Sequence, residues 1–200
     1  LRAIKGGAVI VGVAVERGEP RIVVSRFLAT SVEGDRLSLE PYHVAAEFRR
    51  DPQGGASPEA VATVVEGRKR QDQVAADGLR ATIRALGEAR CKPLVAALLV
   101  NRAGWITDLL DYSLAWPEHL PVAEGLALRD ALRFALKACR VAYVELDEKS
   151  LPDLARQTFD TSSVAIDARL KTLGADAGKP WRKEQKLAAL SAWFALTMKR

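Results

Sequence analysis

The sequence predicts an α/β protein: a mixed five-stranded sheet with helices on both faces and a helical C-terminal extension. Three observations carry this. A meander of three strand-like runs, at 8–16, 21–30 and 36–42, precedes a long helical stretch. Two further apolar runs, at 93–100 and 141–146, are separated by helical sequence, which implies parallel pairing. Beyond residue 150 the pattern is helical. The expected division is an α/β core at 1–150 and a helical segment at 151–200 packed on it.

Ala8-Val9-Ile10-Val11-Gly12-Val13-Ala14-Val15 is a continuous apolar run rich in β-branched residues, so it reads as a central strand covered on both faces. Gly18-Glu19-Pro20 turns the chain into the return strand, and Glu33-Gly34-Asp35 turns it again. Arg36-Leu37-Ser38-Leu39-Glu40 alternates polar and apolar residues, as a half-exposed edge strand does. After the loop Asp51-Pro52-Gln53-Gly54-Gly55, Ser57-Pro58-Glu59 predicts a helix start. Serine can cap, proline suits the first position, and glutamate complements the dipole. Apolar positions 61, 64, 65, 75, 79, 83 and 86 mark one face of that helix. Residues 66–73 are polar all round, which predicts an overhang past the sheet edge, a break at Gly67, or a helix lining a polar cleft. Arg68 and Asp72 are spaced to pair.

Leu94-Val95-Ala96-Ala97-Leu98-Leu99-Val100 is the next buried strand, ended by Asn101-Arg102-Ala103-Gly104. Helices are expected at 105–116 and 123–138, around the strand 141–146 at 152–159 and 163–173, and from Pro180 to Met198.

A 48% apolar content is enough for a core, and 6% aromatics make that core mostly Ala, Val and Leu. The net charge of +5 is compatible with nucleic acid. Cys91 and Cys139 have no Cys or His at ligand spacing and read as reduced thiols; His43 and His119 belong to no motif. No apolar run has the length of a membrane span. Leu1-Arg2-Ala3-Ile4-Lys5 lacks the apolar core of a signal peptide, so the expected compartment is the cytoplasm. There is no Gly-x-Ser-x-Gly elbow and no phosphate-binding loop; His119 has Glu124 within reach as a partner.

Sites in open sheets with parallel strands form beyond the strand ends. The candidates there are Glu16, Asn101 with Arg102, and Glu145 with Asp147 and Glu148; Glu184 lies in the first turn of the final helix. Converging carboxylates hold magnesium or manganese, because both ions are hard and demand oxygen ligands. A pair of such ions activates water and stabilises the leaving oxygen of a phosphodiester. Each acid also has a plain role, flanking a turn, solvating a strand end or supporting a helix start. Residues 171–200 hold Lys171, Lys179, Arg182, Lys183, Lys186, Lys199 and Arg200 with Trp181 among them. Such a helix start can grip phosphates and stack on a base, or the cations can form a solvated face with Trp181 under the core.

This element order, with the acidic strand end Val144-Glu145-Leu146-Asp147-Glu148-Lys149-Ser150-Leu151, resembles the ribonuclease-H-like superfamily, particularly its Holliday-junction-resolvase-like branch. The resemblance covers residues 8–147 and the final helix. It implies a ribonuclease-H-like sheet and a two-metal site with Mg or Mn, for which Glu16, Asp147 and Glu184 are the available ligands and catalytic acids. The chain departs from the family in three places. Gly12-Val13-Ala14-Val15 has no Asp in the first strand, Asn101 stands where an acid ends the fourth, and the final helix offers only Glu184. The expected function is therefore nucleic-acid binding by a degenerate or weak metal-dependent nuclease. DNA or RNA phosphates would be met by Arg68, Lys69, Arg70, Arg102, Arg182, Lys183 and Lys186, with Trp181 as the stacking residue. The alternative is a non-catalytic protein-interaction or assembly module, including a homo-oligomer, that uses an edge strand or the amphipathic tail. A third is a small-molecule enzyme on the same sheet.

Overall fold

The sheet is built around a strand of only three residues. The computed structural model describes residues 1–16, 19–101 and 108–198. Its strands are β1 (Arg2–Ile4), β2 (Gly7–Glu16), β3 (Glu19–Ala29), β4 (Ala96–Val100) and β5 (Tyr143–Asp147). They lie in the order β3-β2-β1-β4-β5. β2 runs antiparallel to both β1 and β3, while β1, β4 and β5 are parallel. The sheet is thus mixed and five-stranded, as expected, but its membership differs. β1 is too short, and too polar at Arg2, to give an alternation, and it separates β2 from β4.

The expected third meander strand at 36–42 is instead two short helices, α1 (Arg36–Leu39) and α2 (Pro41–Ala45). Local hydrogen bonds decide this against the alternation. Asp35 accepts from Leu37 N at 3.2 Å, and the buried Ser38 hydroxyl donates to Asp35 O at 3.0 Å. Pro41 then opens α2, where its missing N–H costs nothing.

α3 (Pro58–Glu88) is one continuous helix of 31 residues, capped by Ser57 Oγ accepting from Ala60 N at 3.2 Å. There is no break at Gly67. A Cβ there would lie 2.5 Å from Pro41 Cβ and 2.7 Å from Leu37 O, so this glycine lets α1 and α2 press onto the helix. The polar stretch is partly inward: Gln71 is buried and donates to Ser38 O at 2.9 Å. Arg68 reaches across to Asp130 at 2.6 Å, where Asp72 was its expected partner.

Further along are α4 (Leu109–Ala115), α5 (Leu120–Ala138), α6 (Leu151–Thr158), α7 (Ser163–Ala177) and α8 (Lys183–Met198). The helix expected at 105–116 falls partly outside the described residues, and the last helix starts three residues after Pro180. The sheet is covered on both faces. Val9, Val11, Leu99 and Leu146 pack against α6, α7 and α8 through Leu151, Leu170 and Phe194. The alternate residues Ala8, Ile10 and Leu98 pack against Leu79 of α3 and Leu132 of α5. Each fully buried leucine in these layers contributes about 2 kcal/mol of transfer free energy. The segment after residue 150 therefore forms one whole layer of the molecule. Among the described residues no helix is long and apolar enough to cross a membrane.

Candidate functional site

The carboxyl ends of β1, β4 and β5 lie side by side, the place where open α/β sheets present their sites. Glu148 follows β5 directly, and its N–H donates to Val100 O at 3.0 Å, which holds it against the end of β4. Arg2 of β1 meets its carboxylate with two bonds, Nη2 to Oε1 at 2.9 Å and Nε to Oε2 at 3.1 Å. Arg2 Nη1 reaches Glu184 Oε1 of α8 at 3.4 Å. One guanidinium thus gathers acids from β5 and α8. All three side chains are at least two-thirds shielded from solvent, so the charges are partly desolvated as well as paired.

The trio Glu16, Asp147 and Glu184 is not brought together. Val100 pairs with Asp147, and Ala3, one residue past the Arg2–Leu99 pair, is level with Ala8, so Asp147 and Ala8 share one end of the sheet. Glu16 lies eight residues further along β2, roughly 26 Å away at strand rise. It is held there by Arg21. Asp147 turns to the backbone, with Oδ1 accepting from Lys149 N at 2.7 Å and Ser150 N at 3.2 Å at the entry to α6. Only Glu184 of the three joins the cluster, and Glu148 stands where Asp147 was expected. Among the described residues no three His, Cys, Asp or Glu side chains form a group that could hold a metal. Glu145 faces the other layer and pairs with Arg133 at 2.6 Å, which holds its carboxyl below the ordinary value.

Beside the Arg2 cluster, past the end of β1, lies a cavity of about 370 Å³ lined by Lys5, Glu40, His43, Glu124 and Arg129. Glu124 Oε1 accepts from Tyr42 N at 2.8 Å, His43 N at 3.0 Å and His43 Nδ1 at 3.1 Å. It thereby caps α2 from α5. Burial outweighs these bonds and raises the Glu124 carboxyl above its ordinary value. Burial also lowers the Arg129 guanidinium, which donates to Gly125 O at 2.8 Å. The expected partner His119 stacks instead on Tyr112, ring centroids 5.1 Å apart. Nothing in the spacing of residues 43 and 124 announces their pairing, because it depends on α2 being a helix.

The basic residues fall on two opposite layers. On α3, Arg68 is paired with Asp130, Arg70 is paired with Glu66 at 2.9 Å and Asp35 at 3.3 Å, and Lys69 is exposed between them. Across the sheet, Arg182, Lys183 and Lys186 line a crevice of about 450 Å³ between α7 and α8. Trp181 packs inward there. Its Nε1 donates to Leu170 O at 2.9 Å, and its ring lies on Gly174 so closely that a Cβ would sit 2.1 Å from it. Arg102 lies outside the described residues. No known family, no curated protein and no solved structure matches the chain.

Proposed function

We propose that this protein is a ribonuclease-H-like nucleic-acid-binding module whose metal-dependent cleavage is weak or lost. The observation that carries the reading is the Arg2 cluster. Acids from β5 and α8 converge at the carboxyl end of the parallel strands, and the positive charge they meet there is a guanidinium of the chain itself. A carboxylate held by two N–H donors offers Mg or Mn little unless Arg2 swings away. The phosphate contacts belong to Arg182, Lys183 and Lys186, which edge the crevice between α7 and α8. On the far layer Arg68 and Arg70 are taken up by Asp130, Glu66 and Asp35, with Lys69 exposed between them.

The test is binding to branched DNA, duplex DNA and an RNA–DNA hybrid across a salt series, with and without manganese. Binding should weaken steeply with salt, and the Lys183→Ala, Lys186→Ala double variant should lower the logarithmic salt slope by about 2. Cleavage should be absent or slow in every arm. Vigorous manganese-dependent cleavage would overturn the loss of catalysis, and no binding at low salt would overturn the reading altogether. A second reading, a protein-interaction or assembly module, is favoured by β3. It ends the sheet over Glu19–Ala29 with Phe27 exposed. A stable oligomer whose mass ignores salt would select it.

A further inference from the structure

Arg129 is a partly buried cation without a counter-charge. Its Nη1 donates to Gly125 O at 2.8 Å. With the Asn101 amide turned to satisfy both of its ends, Nη2 donates to the Asn101 side-chain oxygen at 3.2 Å. Nε is buried and has no acceptor. Both acceptors are neutral, and among the described residues no carboxylate lies within ion-pair distance. Glu148, whose field reaches the guanidinium, is already held by Arg2 with two bonds, while Arg2 and Arg133 repel it. A guanidinium taken out of water is costly unless an anion meets it, so this one calls for a partner.

Arg129 lines the cavity of about 370 Å³ past the end of β1, and the carboxylates that line it with Arg129 are already matched. Glu40 accepts from Arg36 at 2.9 Å through one oxygen and has Lys5 3.7 Å from the other. Glu124 Oε1 accepts from two backbone N–H groups, so it carries no proton, and His43 Nδ1 is the third donor to it. The bond to Gly125 O folds the Arg129 guanidinium back along α5 towards the turn that carries Glu124. Gly125 leaves it room, since a Cβ there would lie 3.3 Å from Nη1. Carbon from Ile4, Leu39 and Leu128 makes up much of the remaining wall. The volume falls in the range of small-molecule sites, about 300–1,000 Å³. The place is also apt, because at β1 the sheet changes from antiparallel to parallel pairing.

We propose that this cavity binds a small organic monocarboxylate, with its carboxylate on the Arg129 guanidinium and an apolar body against Ile4, Leu39 and Leu128. Each Nη of Arg129 keeps an N–H to give, and a carboxylate has lone pairs for both. A monoanion is favoured because one guanidinium is unmatched. A phosphate dianion would bring a second negative charge into a cavity that already holds Glu40 and Glu124. Asn101 is what leaves the place open. An aspartate there would set a carboxylate where the amide oxygen now stands, and Arg129 would be paired from within the chain. This inference is independent of nucleic-acid binding.

The test is calorimetric titration of the 200-residue chain with benzoate, hexanoate and 3-phenylpropionate, and with 3-phenylpropionamide and inorganic phosphate as controls. Methyl NMR spectra locate the binding. At least one carboxylate should bind and shift the methyl signals of Ile4, Leu39 and Leu128, with the amide and phosphate weaker by about tenfold or more. Arg129→Gln and Asn101→Asp should each weaken the carboxylate by a similar factor. Asn101→Asp keeps the arginine in place, and its Tm without ligand should rise, so its loss of binding is not a loss of fold. Failure of all three carboxylates to bind would overturn the proposal, as would equal affinity for the amide, tighter binding of phosphate, or unchanged carboxylate affinity in Asn101→Asp.

Discussion

Arg2 and Glu124 are held by opposite economies of charge. Arg2 gives one guanidinium to two half-buried carboxylates, so Arg2→Ala leaves both without their cation. The variant should lose about 1–3 kcal/mol by urea unfolding. Manganese should then raise its Tm, while leaving that of the parent unchanged, because Glu148 and Glu184 are freed together. Glu124 is the reverse case, a carboxylate whose bonds do not repay its burial. Its folded pKa lies above the ordinary 4.5, so its contribution to stability is greatest below that pH and is lost as pH rises through the folded value. Glu124→Gln keeps an oxygen for Tyr42 N and His43 N and carries no charge. It should match or exceed the parent in stability above pH 4.5, and the advantage should vanish in more acid solution. Glu124→Ala strands both N–H groups and should cost about 1–3 kcal/mol at every pH. Chemical denaturation from pH 4 to pH 8 separates the two substitutions.

α3 shows how an element can be legible while its surroundings are not. Ser57, Pro58 and the apolar spacing announce its start and its buried face. The meaning of Gly67 and Gln71 depends on α1 and α2, which the sequence disguises as a strand because Arg36 to Glu40 alternate. Once Pro41 packs on the helix, Gly67 becomes a contact and Gln71 a buried donor to Ser38. Gly67→Ala is therefore expected to destabilise the protein by about 1–3 kcal/mol. The same change on an exposed helix face would add about 1 kcal/mol of stability. Thermal melts of Gly67→Ala beside Gly87→Ala, where a Cβ meets nothing within 4 Å, make the comparison within one helix. β1 was illegible for another reason. Three residues cannot establish a period, and its pairing with Leu99 is a long-range event.

At the scale of the molecule, layers and strand directions follow from the apolar runs, and the site does not. The apolar runs at Ala8–Val15 and Leu94–Val100 are visible in the sequence because helices cover both faces of their buried parts, Ala8–Val11 and Ala97–Leu99; Leu94 itself is exposed ahead of β4. The convergence of Glu148 and Glu184 is not, because it is decided by Arg2, which a scan for carboxylates passes over. The basic residues look like one class in the sequence, yet α3 and α8 carry them on opposite layers. If α8 alone carries the phosphate contacts, then Lys69→Ala should leave affinity for DNA within about twofold and Lys183→Ala should not. Fluorescence anisotropy at fixed salt decides between the two.

The placing of β1 also orders events in time. The β2–β3 hairpin closes between neighbours, but β1 meets β4 across more than ninety residues, and α8 packs on strands from both halves of the sheet. Loops of that length close slowly. On the ribosome, the hairpin and its apolar face must wait, uncovered, until β4, β5 and α8 have all been synthesised. The young chain therefore depends for most of its synthesis on whatever shields that face, and a stall before α8 leaves an aggregation-prone ribbon where the finished protein has a core.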